Sequence, residues 1–272
     1  MAVVRGATGQ NWSLVEAMAD IALKAGVCIL RHYEKPDASH KGDGSPVTQA
    51  DVEAEALIEK ALAPLLPGIP IVAEEACSAG RVPQIDDVFV LVDPLDGTKD
   101  FIARNGQFTV NIALIEARVP VLGVIFAPAS GRLWLAADHA VTMDVAAGAS
   151  LTQARHRRDI KVRQRPAQGL VAMASRSHMN AETERLLSGL PIAERRPVGS
   201  SIKFCEIAEG LADVYVRAGR TMEWDTAAGH AILRAAGGDV RQPDGAPFLY
   251  GKRDDAFANG DFIATGDTSI WE

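Results

Sequence analysis

The hydrophobic residues in the first quarter of the chain recur at intervals of three and four, the spacing of an amphipathic helix. This pattern predicts a helix that begins at Ser13, where Ser13 and Glu16 would form a capping box. It predicts a second helix over about residues 48–66, which ends at the Pro-Gly pair that follows. The segment 40–48 is predicted as a loop because it is rich in glycine, serine and proline.

Short apolar runs replace the helical spacing after residue 70, and such runs are typical of β-strands. We expect a short strand over residues 71–75 and a buried strand over the run VFVLV at 88–92. The buried strand must stop at Pro94, since proline donates no ladder hydrogen bond. Short turns join the later runs and predict an antiparallel sheet. These later runs cover residues 108–115, 121–128 and 132–137.

The second half of the chain changes in composition and then alternates between strand and helix patterns. Residues 138–165 contain small residues followed by the basic cluster RHRR at 155–158. Alternation after that point is typical of an α/β unit. We therefore expect an α+β domain over residues 1–145, which contains the antiparallel sheet, and an α/β domain over residues 146–272. The alternating elements are strands over 169–175 and 212–217 and helices over 180–190, 200–210 and 225–238.

Composition and charge narrow the classes of function. With 272 residues, 47% of them hydrophobic, and a net charge of −7, the chain is typical of a globular protein without a nucleic-acid partner. Its three cysteines are far apart and form no C-x-x-C pair, which argues against zinc and redox chemistry. We see no signal peptide and no apolar run of the ~20 residues that span a membrane. We expect a cytoplasmic protein whose cluster 155–158 is solvated; the alternative is peripheral contact with the inner membrane surface.

Several carboxylates lie at predicted strand or helix ends. Asp93 and Asp96 belong to the sequence DPLDGT, whose glycine permits close approach of a ligand to the backbone. Glu74 follows the short strand, and Asp225 opens the last helix. Carboxylates without a matching cluster of histidine or cysteine favour Mg²⁺ over zinc. Structural interpretations remain open: turn acceptors for the DPLDGT acids, a solvated acid for Glu74, and a helix N-cap for Asp225.

Seven motifs, in this order along the chain, carry a resemblance to a known family. They are KGDGSPVTQAD (41–51), VAEE (72–75), LVDPLDGTKDFI (91–102), NGQFTVNIALI (105–115), SRSH (175–178), GSSIKFCEIAEGLADVYVR (199–217) and EWDTAAGHAILRAAGG (223–238). Over about residues 13–262 the chain resembles the lithium-sensitive, Mg²⁺-dependent phosphatases of the inositol monophosphatase superfamily. Within that superfamily it is similar to the bacterial 3′(2′),5′-bisphosphate nucleotidases of the CysQ type. Two departures from the nucleotidases are mild, namely Asp100 and Ala73, where they often have glutamate and serine.

The resemblance implies a fold and a metal site. The fold would be a layered α-β-α-β-α sandwich of the inositol monophosphatase and fructose-1,6-bisphosphatase type, which combines α+β and α/β features. Two or three Mg²⁺ ions would bind mainly to the first domain, with one ligand from the second. The implied ligands are Glu74, Asp93, the backbone carbonyl of Leu95, Asp96 and Asp225.

The resemblance also implies a catalytic group. Glu74 and Thr98, supported by Asp51, would orient the attacking water and accept its proton. For Asp51 a purely structural role is also open, because Thr48 and Asp51 match a capping box at the start of the second helix.

Substrate contacts are implied around the turn after the buried strand and in the second half of the chain. They are Gly97, Thr98, Lys99, His178, Ser200, Ser201, Lys203, Arg217 and Asp225. Alternatives remain for three of them: Lys203 as a solvated helix residue, His178 as a loop cap, and Arg217 in a surface ion pair. His230, which follows Asp225 on the same helix, is predicted to serve in packing.

The resemblance implies an enzyme that removes the 3′-phosphate of adenosine 3′,5′-bisphosphate to give AMP and phosphate. It would also act on 3′-phosphoadenylyl sulfate and serve sulfur assimilation. The expected partner is a small phosphorylated nucleotide, and the expected assembly is a monomer or a homodimer. The alternatives are an inositol or other small sugar-phosphate monophosphatase and, from a different class, a non-catalytic metal- or nucleotide-binding module.

Overall fold

A computed structural model describes residues 8–42, 44, 46–175 and 180–271. In this part of the chain, seven α-helices form, and single turns of 3-10 helix cover Leu151–Gln153, Arg253–Asp255 and Thr268–Trp271. The α-helices are α1 (Thr8–Tyr33), α2 (Gln49–Leu65), α3 (Glu74–Ser78), α4 (Thr98–Ile102), α5 (Ala181–Ser188), α6 (Ile202–Ala208) and α7 (Glu223–Ala235).

The strands fall into two groups along the chain. The first group is β1 (Ala38–His40), β2 (Pro46–Thr48), β3 (Ile71–Ala73), β4 (Val88–Asp96), β5 (Thr109–Glu116), β6 (Val119–Ala127), β7 (Arg132–Ala136), β8 (Ala140–Asp144) and β9 (Arg155–Ile160). The second group is β10 (Leu170–Ala174), β11 (Ile192–Pro197), β12 (Val214–Arg217), β13 (Thr221–Met222), β14 (Asp239–Arg241), β15 (Ala258–Asn259) and β16 (Phe262–Thr265).

Two large sheets contain most of these strands. The first sheet has the order β3-β4-β5-β6-β7-β8-β9, and its neighbouring strands are antiparallel except for the parallel pair β3–β4. The predicted antiparallel sheet is thereby confirmed. The second sheet has the order β11-β10-β12-β16-β14 and is mixed, because β10 runs parallel to β11 and β12 whereas β16 is antiparallel to both of its neighbours.

Helices cover and separate the two sheets. α1 and α2 pack on one face of the first sheet, α6 and α7 lie between the sheets, and α5 packs on the outer face of the second sheet. This confirms the predicted α-β-α-β-α sandwich. Residues of β4 alternate between layers: Val90 and Val92 pack with α1 and α2, and Phe89 and Leu91 pack toward α7. The run VFVLV is continuously apolar because both faces of its sheet are buried.

The strand β4 does not stop at Pro94 but continues to Asp96, so the predicted strand end is wrong. Its pairing with β5 shifts register between Asp93 and Asp96. The missing N–H of Pro94 therefore falls where the ladder is already interrupted, which is where a strand tolerates proline. The irregular strand end is the segment that carries the DPLDGT sequence.

Three other predicted boundaries are wrong. The helix α1 begins at Thr8, so Ser13 lies inside it; the amphipathic pattern fixes the helix face but not its first turn. Glu74 does not end a strand but is the first residue of α3. Within the segment predicted as a loop over 40–48, β2 pairs with the preceding β1 as an antiparallel hairpin. The second helix is confirmed, with Thr48 as its N-cap.

The composition change after residue 137 does not end the first sheet. The strands β8 and β9 extend that sheet as far as Ile160. The division into domains over 1–145 and 146–272 stays a prediction.

Close packing between β6 and α7 sets the position of the last helix. A Cβ atom at Gly123 would lie 2.6 Å from the carbonyl oxygen of Ala228 and 2.8 Å from the Cβ of Ala231. The backbone of Gly123 is not left-handed, so available space, rather than conformation, requires glycine here. This contact matters for the site because the first turn of α7 carries Asp225.

We expect Gly123→Ala to lower the free energy of unfolding by about 1–3 kcal/mol, since the added methyl group overpacks the contact with α7. Urea unfolding followed by circular dichroism measures the effect. Gly260→Ala is the matched control, because a Cβ atom there meets nothing within 4 Å. Equal stability of the two variants would show that the contact between β6 and α7 is not tight.

Candidate active site

The end of β4 forms a tight turn that presents several groups in one direction. Asp93 is buried, and its Oδ1 accepts a hydrogen bond from the backbone N–H of Leu95 at 3.0 Å. Gly97 has a φ of 93°, and a Cβ atom there would lie 2.9 Å from the carbonyl oxygen of Gln107. Both the conformation and the space therefore require glycine. The turn leads directly into α4, which begins at Thr98.

Three carboxylates from three different elements converge beside this turn. Glu74 at the start of α3, Asp93 in β4 and Asp225 in α7 each offer an oxygen atom, and these atoms all lie within 4.8 Å of one another. Carboxylate oxygens at this spacing suit a hard divalent cation such as Mg²⁺. Asp96 lies at the end of the same strand and accepts a hydrogen bond from Asn111 Nδ2 at 3.4 Å.

Burial and nearby negative charges raise the pKa values of the three aspartates, Asp93, Asp96 and Asp225. Burial is the main cause for Asp93, whose pKa lies well above its ordinary value, and Glu74, Asp96 and Asp225 add to the shift. The pKa of Asp225 is also raised well above its ordinary value, mainly by burial and then by the negative charges of Asp96 and Glu74. Burial also raises the pKa of Asp96 to about 6, although the positive charge of Lys203 opposes the shift. A bound cation would remove this repulsion, so the donor set fits a divalent metal.

Asp225 occupies the third position of α7 and is not the residue that caps it. Its Oδ2 accepts a hydrogen bond from the backbone N–H of Met222 at 2.8 Å, as an acid at this position of a capping box does. Glu223 holds the same turn in place. Its fully buried carboxylate accepts hydrogen bonds from the N–H groups of Gly251 and Lys252, each at 2.8 Å.

Asp51 makes the contacts expected for both roles that the sequence leaves open, namely capping α2 and supporting Thr98. Its Oδ2 accepts hydrogen bonds from the backbone N–H and the hydroxyl of Thr48, both at 2.7 Å, which is the capping box of α2. Its Oδ1 accepts a hydrogen bond from the hydroxyl of Thr98 at 3.2 Å. One carboxylate thus caps a helix and orients a hydroxyl beside the acidic cluster, 47 residues further along the chain.

Lys41, Glu75 and Glu55 are not among the predicted site residues, although the structure places all three beside the acidic cluster. The Nζ of Lys41 lies 2.6 Å from carboxylate oxygens of both Glu74 and Glu75. Burial raises the pKa of Glu75 to about 7, against the lowering effect of Lys41. Glu55 of α2 accepts hydrogen bonds from the N–H groups of Glu75 and Ala76, each at 2.6 Å, and so holds the start of α3. Lys41 and Glu75 lie in the motifs KGDGSPVTQAD and VAEE, a signal that could have found them.

The acidic cluster opens into a cavity of about 220 Å³. Most predicted substrate contacts line it, which brings residues from both halves of the chain together. They are Gly97, Thr98, Lys99, Ser200, Ser201, Lys203, Arg217 and Asp225. His178 lies outside the described residues.

Two buried cations belong to the cavity wall, so two of the alternatives left open by the sequence are wrong. Lys203 is not solvated: its Nζ donates to the carbonyl oxygen of Ser200 and lies 5.0 Å from the centre of the Tyr215 ring. Arg217 is not in a surface ion pair, since it is 91% buried. Its Nε has no hydrogen-bond partner among the described residues. Lys99, in contrast, is exposed.

A protein-family model described as "Inositol monophosphatase family" matches residues 11–268. The chain belongs to the inositol monophosphatase family. This confirms the predicted superfamily and the phosphatase class. The family is metal-dependent, which agrees with the fit of the acidic cluster to a divalent cation.

Two curated relatives in this family share the name 3′(2′),5′-bisphosphate nucleotidase CysQ. The protein of Escherichia coli strain K12 is 40% identical over 252 residues, which cover 92% of this chain and 98% of the relative. The protein of Salmonella typhimurium is 42% identical over 255 residues, with coverage of 93% and 99%. The prediction of a resemblance to the CysQ type is thereby confirmed.

Solved structures agree in fold. The crystal structure of CysQ from Bacteroides thetaiotaomicron matches with a TM-score of 0.76 and 39% identity, covering 94% of this chain and 97% of that one. Inositol monophosphatase from Anabaena matches with a TM-score of 0.72 and 24% identity, which shows the common fold alone.

Two further features of this family member lie away from the cavity. His230 is buried between the hydroxyl of Tyr250 and the carboxylate of Asp239, each at 3.1 Å, as expected for a packing residue. The basic cluster 155–158 lies on the edge strand β9, and three of its residues pair with the acids Glu16, Asp144 and Glu209. No helix in the described part of the chain is long and apolar enough to cross a membrane.

We expect the metal-free protein to lose stability as the pH rises above about 4. The pKa of Asp93 is raised in the fold, so its stabilising contribution is complete below its ordinary pKa of 3.8 and is lost as the pH climbs toward the raised value. Melting temperatures in the presence of a chelator, from pH 5 to pH 8, measure this slope. Asp93→Asn should show a shallower slope than the wild type.

The exposed Asp254 supplies the matched control for this measurement. Asp254→Asn should keep the wild-type slope, because its carboxylate lies outside the acidic cluster. If Asp93→Asn and Asp254→Asn lose stability in parallel, repulsion in the cluster does not govern the pH dependence.

Proposed function

We propose that this chain is a Mg²⁺-dependent phosphomonoesterase that converts adenosine 3′,5′-bisphosphate to AMP and orthophosphate. The main support for the proposal is that one cavity wall contains carboxylates and also two buried cations. The carboxylates are Glu74, Asp96 and Asp225, and the cations are Lys203 and Arg217. A substrate with two phosphate groups matches both parts of that wall. The CysQ relatives are named 3′(2′),5′-bisphosphate nucleotidases, which supports this class of activity. The same site would accept 3′-phosphoadenylyl sulfate, and the enzyme would serve sulfur assimilation in the cytoplasm as a monomer or homodimer.

The acidic part of the cavity would hold the Mg²⁺ ions, two or three in number. The proposed ligands are Glu74, Asp93, the carbonyl oxygen of Leu95, Asp96 and Asp225. When bound, the ions lower the pKa of water and stabilise charge on the leaving oxygen.

The chain's own groups then direct the water. The Thr98 hydroxyl donates its hydrogen to Asp51 Oδ1 or to the carbonyl oxygen of Leu95, and in both cases its oxygen can accept a hydrogen bond from water. Glu74 is the group that takes the water's proton. The water oxygen forms a bond to phosphorus, the bond between phosphorus and the 3′-oxygen breaks, and that oxygen leaves with a proton as the 3′-hydroxyl of AMP. The backbone at Gly97 and Thr98 contacts the phosphoryl oxygens in this scheme.

The basic part of the cavity would bind the 5′-phosphate. The buried guanidinium of Arg217 has an Nε without a partner among the described residues, and an anion would supply the missing acceptor. Lys203 adds a second buried charge, and Ser200 and Ser201 add hydroxyl groups. Lys99 would contact the substrate from the exposed side of the same wall.

The test is phosphate release from a panel of substrates in the presence of Mg²⁺, with and without lithium. We expect adenosine 3′,5′-bisphosphate to exceed inositol 1-phosphate in kcat/KM and lithium to inhibit. Asp93→Asn should reduce turnover to background, because a proposed metal ligand is lost, while circular dichroism shows an intact fold. A preference for inositol 1-phosphate would favour the sugar-phosphatase alternative, and binding without turnover would favour the non-catalytic one.

We expect Arg217→Gln to lower kcat/KM for adenosine 3′,5′-bisphosphate about tenfold to a hundredfold, the range for loss of a charged hydrogen bond. For adenosine 3′-monophosphate, which lacks the 5′-phosphate, the loss should be less than threefold. The exposed Arg155 provides the control, and Arg155→Gln should match the wild type on both substrates. Equal losses on the two substrates would refute a role of Arg217 at the 5′-phosphate.

A further inference from the structure

A second cavity, of about 460 Å³, adjoins the acidic cluster. It shares Glu74, Thr221 and Asp225 with the first cavity, and the remaining lining residues of the two cavities differ. The first cavity continues along α4, α6 and β12, whereas the second continues along α3 and toward Phe257. Two proposed metal ligands, Glu74 and Asp225, therefore line both cavities.

The walls of the second cavity suit a small anion better than a nucleoside. Trp224 and Phe257 line it, but they are 5% and 1% exposed, so they offer little ring surface on which a base could stack. Two cations line it as well. Lys41 is held by Glu74 and Glu75, whereas Arg220 is exposed and has no ion-pair partner among the described residues.

The geometry of phosphoryl transfer relates each cavity to one side of the phosphorus atom. The attacking water and the leaving oxygen must lie roughly in line, on opposite sides of phosphorus. If the nucleotide fills the first cavity, the leaving oxygen faces that cavity. Glu74, the proposed proton acceptor, lines the second cavity as well, so water can approach the attacking side from there.

We infer that the second cavity binds orthophosphate on its way out and admits the water for the next turnover, with Arg220 as the anion-binding residue. The inference rests on the proposed function, since it takes the nucleotide to occupy the first cavity. Its consequence is that orthophosphate can bind and leave while AMP is still bound. A site with a single opening would require the nucleotide to leave first.

Calorimetric titration of orthophosphate into the full chain, with Mg²⁺ and saturating AMP present, tests the inference. We expect orthophosphate to bind under these conditions and Arg220→Gln to weaken its binding about tenfold, with the affinity for AMP changed less than twofold. Arg155→Gln, the matched control, should bind both like the wild type. Unchanged orthophosphate binding in Arg220→Gln would overturn the inference, as would complete exclusion of orthophosphate by AMP.

A variant that fills the cavity provides an independent check. Val82→Trp should reduce inhibition of turnover by orthophosphate at least threefold and leave KM for the substrate unchanged, and Val52→Trp is its control at an exposed valine away from the cavity. A rise in KM equal to the change in orthophosphate inhibition would mean that the nucleotide itself uses the second cavity. Failure of AMP to bind the wild type would refute the proposed substrate. The affinity of Arg220→Gln for orthophosphate, measured without AMP, would still test the second cavity in that case.

Discussion

Repulsion among clustered carboxylates, one of them buried and two half-buried, is the constraint on which the rest of the site depends. Glu74, Asp93 and Asp225 offer oxygen atoms within 4.8 Å of one another, and burial raises the pKa of both aspartates. Such an arrangement persists only where the surrounding structure holds it. The structure does so with rigid elements: a strand buried on both faces and the first turns of two helices. Each acid is thus fixed by packing outside the cluster.

A chain of polar contacts links these elements to one another. Glu55 holds the start of α3 through two backbone N–H groups, and Glu223 holds the start of α7 in the same way. Asp51 joins α2 to the Thr98 hydroxyl on α4. In all three cases a buried carboxylate accepts at least two hydrogen bonds, which offset the cost of its burial. The acids outside the cluster therefore serve to position the acids and the hydroxyl within it.

The sequence predicts the layers of the fold better than the ends of its helices and strands. It predicts the motifs of the site better than the residues that contact those motifs. Hydrophobic period gives the antiparallel strands and α2 because both depend on which face is buried. It cannot show that β4 passes Pro94, since the register shift there depends on pairing with β5. The contacts of Lys41 and Glu55 are likewise not predicted, because they also depend on how distant parts of the chain come together. Each residue contacts α3 from a distant part of the chain. The motif that contains Lys41 could have drawn attention to this residue, but no local pattern shows which residues Lys41 and Glu55 contact.

The buried cations complete the electrostatic argument for a ligand with two anionic groups. A buried guanidinium with an unpaired Nε is costly unless an anion reaches it, and Arg217 is such a group. Among the acids at this site Glu74 is paired with Lys41, whereas the raised pKa values of Asp93, Asp96 and Asp225 indicate carboxylates that a bound cation would stabilise. Lys203 does not neutralise them, because the pKa of Asp96 stays raised beside it. A cation and an anion would each be stabilised at this site, which supports the proposed substrate, a phosphate ester with a second phosphate on the same molecule.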